Sequence, residues 1–239
     1  MITKPFKRTY RPNKHPSSGY EVHSLYAIDG QRYIDSFKII QKDLINLFDF
    51  VYPSDDNKST YSIRIQDIYV RACIEVEANL NAILKENVYQ KKEKGFWNIA
   101  DFFKVDKTHF LSEYTVTIPH WEGKNQTITP FANWVNSPTL DWFKDYHGIK
   151  HDKYVNFRNA NLLNAVTAVT ANLILLSSQF NIFELTSVWQ IYINDDSRTK
   201  LGLGGYFLVT FPEFVEDDMY NFDWNIIKDK PEPFQNLSF

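Results

Sequence analysis

From Gln31 to Val51 the apolar residues fall at Ile34, Phe37, Ile40, Leu44, Leu47, Phe48 and Val51, steps of three and four that predict a helix with one buried stripe. Pro53-Ser54-Asp55-Asp56-Asn57 stops it. A second helix is expected over about Ser62–Asn87, burying Ile65, Ile68, Tyr69, Ala72, Cys73, Val76, Leu80, Ile83 and Leu84 and exposing Arg64, Asp67, Arg71, Glu75 and Glu77. A third takes Ser137 as its cap and Pro138 as its first residue, and Gly148 is expected to end it. The fourth, about Asn156–Phe180, is apolar on several sides, as befits the central helix of a bundle.

Two stretches alternate instead. Glu113–Ile118 puts Tyr114, Val116 and Ile118 on one face, and Gln126–Thr129 answers it across Trp121-Glu122-Gly123-Lys124-Asn125, predicting a β-hairpin. Val188–Ile193 and Tyr206–Phe211, joined by Asn194-Asp195-Asp196-Ser197, predict a second pair of strands. Beyond Pro212 the tail mixes acids with Tyr220, Phe222, Trp224 and Phe234, the pattern of an extended strap packed on the body. The fold class expected is α+β, mainly α: a four-helix bundle over residues 31–184, with a hairpin inserted at about 108–131. A basic extension (1–30) precedes it, and a β-containing, aromatic extension (185–239) comes after it, packed on the bundle.

Composition narrows the options. At 239 residues, 44% hydrophobic and 16% aromatic, the chain lies far from disordered sequences and can bury about 70% of its unfolded surface, enough for one or two domains. A net charge of −3 gives no global field for nucleic acid or anionic lipid, so any such binding must be local. The charge is nonetheless uneven: Lys4, Lys7, Arg8, Arg11 and Lys14 open the chain without an acid, while 213–232 holds seven acids against Lys228 and Lys230. These are either solvated tails or tails that pair with each other. The single cysteine, Cys73, rules out an intrachain disulfide and fits a reducing compartment. No apolar leader opens the chain, and the longest apolar run, Leu173–Leu176, is far short of the ~20 residues of a membrane span. A cytoplasmic location without membrane contact is the expectation.

Acid/base chemistry concentrates in one corner, where His147, Lys150, His151, Asp152 and Lys153 fall within seven residues. The histidines are four apart, a spacing that can share a metal on an unbroken helix, but Gly148 stands between them and no third ligand comes after, so no metal is expected. Metal-free work remains: an imidazole can take the proton of a ribose 2′-hydroxyl while Lys150, Lys153 and Arg158 hold phosphate. Alternatively, the histidines simply satisfy helix ends. Arg71 and Glu75 have ion-pair spacing, and Arg71 joins the phosphate set if it faces this corner. Gly202-x-Gly204-Gly205 lacks the context of a dinucleotide fingerprint, no triphosphate loop or nucleophile elbow occurs, and no nucleotide cofactor is expected.

Asp141-Trp142-Phe143-x-x-Tyr146-His147-x-Ile149-Lys150-His151-Asp152-Lys153, succeeded by Asn161-Leu162-Leu163-Asn164-Ala165, resembles the corner of HEPN-type proteins, the helical bundles named for higher eukaryotes and prokaryotes nucleotide-binding. The likeness covers the third and fourth helices and, loosely, Arg71–Leu84. In active members an arginine precedes the motif histidine by about five positions, and RNA is cut without metal across a homodimer interface. The resemblance makes His151 the acid/base residue and gives His147 the polar position; Tyr146 stands where the arginine would be. It implies a metal-independent ribonuclease or a weakened RNA-binding relative, homodimeric, with no cofactor, in a bacterial defence or toxin setting. The rival reading is a non-enzymatic homodimeric interaction module whose polar corner is structural.

Overall fold

The computed structural model describes residues 2–91, 95–181 and 198–239. The chain is α+β and mainly helical. In order it forms α1 (Gly30–Phe48), α2 (Ile63–Glu86), α3 (Ile99–His109), β1 (Thr115–Thr117), β2 (Thr127–Ile128), α4 (Asp141–His151), α5 (Leu162–Phe180), β3 (Thr199–Leu201), β4 (Leu208–Thr210) and the one-turn α6 (Trp224–Ile227). The expected strand at Val188–Ile193 and its turn at 194–197 lie outside the described residues.

α2 and α5 form the central pair, with α1 and α4 packed against both and α3 against α2. Both members of the pair start where the sequence supplies an acceptor: the Ser62 hydroxyl takes the Ile65 N–H of α2, and the Asn161 side chain takes the Asn164 N–H of α5. α5 begins six residues later than its periodicity suggests. The backbone of 157–159 closes a 3-10 turn, and the first free N–H groups of α5, at Leu162 and Leu163, are met by the carbonyls of Thr60 and Lys58. By length and composition α5 could cross a membrane, yet its face is enclosed by the surrounding elements, and Ala165, Ala168 and Leu173 have no exposure.

α4 departs from expectation at both ends. Pro138 does not open it, because the Pro138 carbonyl accepts the Trp134 indole N–H (3.0 Å) and the helix starts at Asp141. Gly148 does not close it. The helix runs through to His151 and stops at Asp152, whose carboxylate accepts the N–H groups of Tyr154 and Val155. Gly148 leaves room for Asn156, which folds back and donates to the Gly148 carbonyl; a Cβ would meet it at 3.3 Å.

α3 has no counterpart in the expected elements. Asn98 and Asp101 form a capping box at its start, with the Asp101 carboxylate accepting the Asn98 N–H at 3.0 Å. The expected hairpin is present as β1 and β2, but it is not a separate insertion: β4 pairs with the other edge of β1, giving one antiparallel sheet in the order β2-β1-β4-β3. The Trp121 indole folds back, and with Asn125 it holds the Asp55 carboxyl well below the usual carboxylate range.

The two oppositely charged ends pair. Arg11 approaches Asp218 at 3.5 Å, Lys14 bonds Glu216, and the chain ends run in parallel bridges at Ile2↔Tyr220 and Phe6↔Gln235. Tyr20, Tyr26, Tyr220, Phe222, Trp224, Ile227 and Phe234 form a second apolar cluster between them. Arg8 goes further and lies fully buried, donating to Glu86, Gln179 and the Ile28 carbonyl.

Candidate active site on the fourth helix

α4 buries Trp142, Phe143, Tyr146 and Ile149 and turns Lys144, His147 and His151 outward, positions i, i+3 and i+7 on one side of a continuous helix. Asp145 ties this helix to the start of α5, accepting from the side-chain amides of Asn159 and Asn164 at 3.1 and 3.0 Å. The corner is therefore held from both α4 and α5.

Tyr146 and Lys150 converge on Glu77 of α2. The Tyr146 hydroxyl donates to Glu77 Oε2 at 3.0 Å, and Lys150 Nζ lies 3.4 Å from the same oxygen and 5.0 Å from the centre of the Tyr146 ring. Burial pushes the Tyr146 phenol up, so it remains a donor. Glu77 Oε1 has no hydrogen-bond partner among the described residues. Lys150 is thus paired with a carboxylate while its side chain stays about half exposed.

His147 stands against Phe143, ring centres 4.9 Å apart and nearly perpendicular. Burial pushes its imidazole down, with Lys150 and His151 adding in the same direction and Glu77 opposing, so the ring is neutral at pH 7. Beside it opens a cleft of about 360 Å³ between α2, α3 and α4, walled by Trp97, Phe102 and Phe143 and edged by Glu77, Lys144 and His147. His151 is exposed on the next turn, as is Lys153 just beyond the helix. Neither is sealed in the core.

Of the remaining candidates, Arg71 does not gather here. Arg71 bonds Asp43 of α1 at 2.6 Å and Asp67 at 3.1 Å, facing away from α4, while Glu75, its expected partner, accepts from Ser36. Six residues along α2 separate Arg71 from Glu77, which puts them on different faces. Arg158 lies over the Tyr61 ring at 5.7 Å. Among the described residues no three His, Cys, Asp or Glu side chains are grouped to hold a metal. Cys73 is buried and its thiol pushed up by that burial, so it is core and not nucleophile. Glu77 and Lys144 are members of the corner that the local motif does not single out. Lys144 is signalled by its spacing from His147 and His151, whereas Glu77 carries no mark in the sequence beyond its place on the polar face of α2. Compared with protein-family models, curated proteins and solved structures, the chain finds no match.

Proposed function

We propose that the protein is an HEPN-like, RNA-directed helical protein that cleaves RNA without metal, with α1, α2, α4 and α5 serving as a four-helix bundle. One observation carries the reading: an unbroken α4 sets His147 and His151 one turn apart on the same side as Lys144, beside an aromatic cleft open to solvent. Residues four apart on a helix have Cβ atoms about 6 Å apart, close enough for both imidazoles to serve one phosphodiester. His147, neutral at pH 7, takes the proton of the 2′-hydroxyl as that oxygen attacks phosphorus. His151 donates a proton to the departing 5′-oxygen, leaving a 2′,3′-cyclic phosphate. Lys144 and Lys153 supply the positive charge that faces the phosphate, in place of the arginine for which Tyr146 stands.

Tyr154 and Val155, 88% and 78% exposed immediately after Lys153, support self-association at this corner, so that a second subunit adds its cations to the same strand. The test is cleavage of single-stranded RNA in EDTA. Cleavage that persists in the chelator and is lost in both His147→Ala and His151→Ala supports the proposal. Activity unaffected by either change overturns it, and inactivity with an intact dimer favours the interaction-module reading.

A further inference from the structure

The cleft beside His147 has a chemistry that phosphate binding does not use. Trp97, half-buried, sides a space of about 360 Å³ floored by the buried Phe102 and Phe143, near the small end of ligand pockets, so it suits one planar heterocycle rather than a run of nucleotides. Flat apolar walls favour any base, because every base has a π face, and they give no selectivity by themselves. Glu77 does. Its Oε2 is occupied by Tyr146 and Lys150, and its Oε1 is an acceptor without a partner among the described residues at the edge of the cleft. With Lys150 beside it, the carboxylate keeps its acceptor while its charge is balanced, which lessens the repulsion of a nearby phosphate.

We propose that this cleft is a subsite for a single unstacked guanine of an RNA strand. Guanine is the base whose pairing edge presents two adjacent donors, N1–H and the N2 amino group; they run side by side, and the free Glu77 Oε1, with both lone pairs unused among the described residues, accepts from the two together. Adenine and cytosine each set a ring-nitrogen acceptor next to their amino group, and uracil flanks its one N–H with two carbonyls, so each brings an acceptor against Glu77. The base stacks on Trp97, the half-buried ring of the three, above the buried Phe102 and Phe143, and Lys144 and His147 at the rim meet the phosphate on its 3′ side. Selectivity and reaction then sit side by side on two packed helices, Glu77 of α2 reading the base edge and the histidines of α4 carrying the reaction. The subsite rests on the RNA-directed reading of α4 given above.

The experiment uses fluorescent pentanucleotides UUGUU, UUIUU and UUAUU carrying 2′-deoxy sugars, which the proposed reaction cannot cut, where I is inosine, which lacks only the N2 amino group of guanosine. Affinities come from anisotropy, and the Trp97 indole N–H is followed by NMR, assigned by its loss in Trp97→Phe. With the full-length protein, UUGUU binds about tenfold tighter than either of the others, the discrimination expected of one well-made base-edge contact. It also shifts the Trp97 resonance. Glu77→Gln still accepts from Tyr146 and Lys150 but turns an NH₂ donor toward the cleft, and it brings the three affinities to within about twofold of one another. Equal affinity of the three strands for the wild-type protein, with the Trp97 resonance unmoved, overturns the guanine subsite while leaving RNA binding by α4 standing. Failure of every strand to bind overturns both. Because the inosine comparison is made on the unaltered protein, it decides the matter even if Glu77→Gln folds poorly.

Discussion

Arg8 offers the sharpest test of how the chain end is built into the body. Its guanidinium has no exposed surface and serves three acceptors: Glu86 Oε1 at 2.6 Å, Gln179 Oε1 at 2.9 Å and the Ile28 carbonyl at 2.5 Å, with the Tyr33 ring 4.8 Å from its central carbon. Replacing Arg8 with Ala leaves the Glu86 carboxylate, 8% exposed, with only the Ile28 N–H at 3.0 Å among the described residues, and strips Gln179 of a donor. Breaking one side of a buried ion pair costs about 3–5 kcal/mol, because the surviving charge stays desolvated. For a chain of this size each kcal/mol lowers Tm by roughly 2–4 °C, so a fall of about 10 °C is expected in calorimetry. Glu86→Ala alone should cost a similar amount, and the double variant clearly less than the sum, with a coupling of about 2 kcal/mol in urea titrations. Arg8→Lys should rescue little, since an ammonium cannot present a planar fork to three acceptors. A loss below about 1 kcal/mol, or simple additivity of the two single changes, would refute the claim that the N-terminal segment is keyed into the core.

Two further outcomes rest on burial. His109, enclosed by Thr9, Thr108 and the Arg8 carbonyl, has its imidazole pushed down to about 4 by burial, so the unfolded chain takes up a proton below about pH 6.5 that the folded chain refuses. Stability contributed by this site is therefore whole at pH 7 and falls by about 2 kcal/mol at pH 5, and His109→Gln should flatten that part of the pH profile of urea midpoints; an unchanged profile would contradict it. Ala168→Asp should cost at least about 4 kcal/mol by setting an unpaired carboxylate inside the α2–α5 contact, and a melting temperature equal to wild type would refute the enclosed position of α5.

α1, α2 and the hairpin are legible in the sequence because an amphipathic stripe and strict alternation are local signals, and each is bounded by residues that cap or turn. α3 escapes notice although Asn98-x-x-Asp101 carries a capping box, because only Phe102 and Val105 mark a buried stripe along its eleven residues. The start of α4 depends on where the Trp134 indole donates, and its end on Asn156 folding back over Gly148; both are contacts between separated residues that periodicity does not record. The pairing of β1 with β4 joins positions about ninety residues apart, so from local pattern the hairpin looks isolated. At the site, the histidines and lysines announce themselves by density. Glu77 does not, since its role depends on α2 presenting it to Tyr146 and Lys150 across the helix contact. Arg71, by the same rule, is drawn to Asp43 on α1.

The salt dependence of single-stranded RNA binding tests the role of α4 most directly. With Lys144, Lys153 and one or two histidines meeting phosphates, binding should be about micromolar or weaker, and log Kd should rise with log salt by roughly 0.7 per phosphate contacted between about 50 and 200 mM KCl. The double variant Lys144→Glu, Lys153→Glu should weaken binding by more than about tenfold and cut the slope by roughly 1.4, while its urea midpoint stays at the wild-type value because both side chains are exposed. RNA affinity and slope unchanged in that variant would contradict an RNA-binding face on α4.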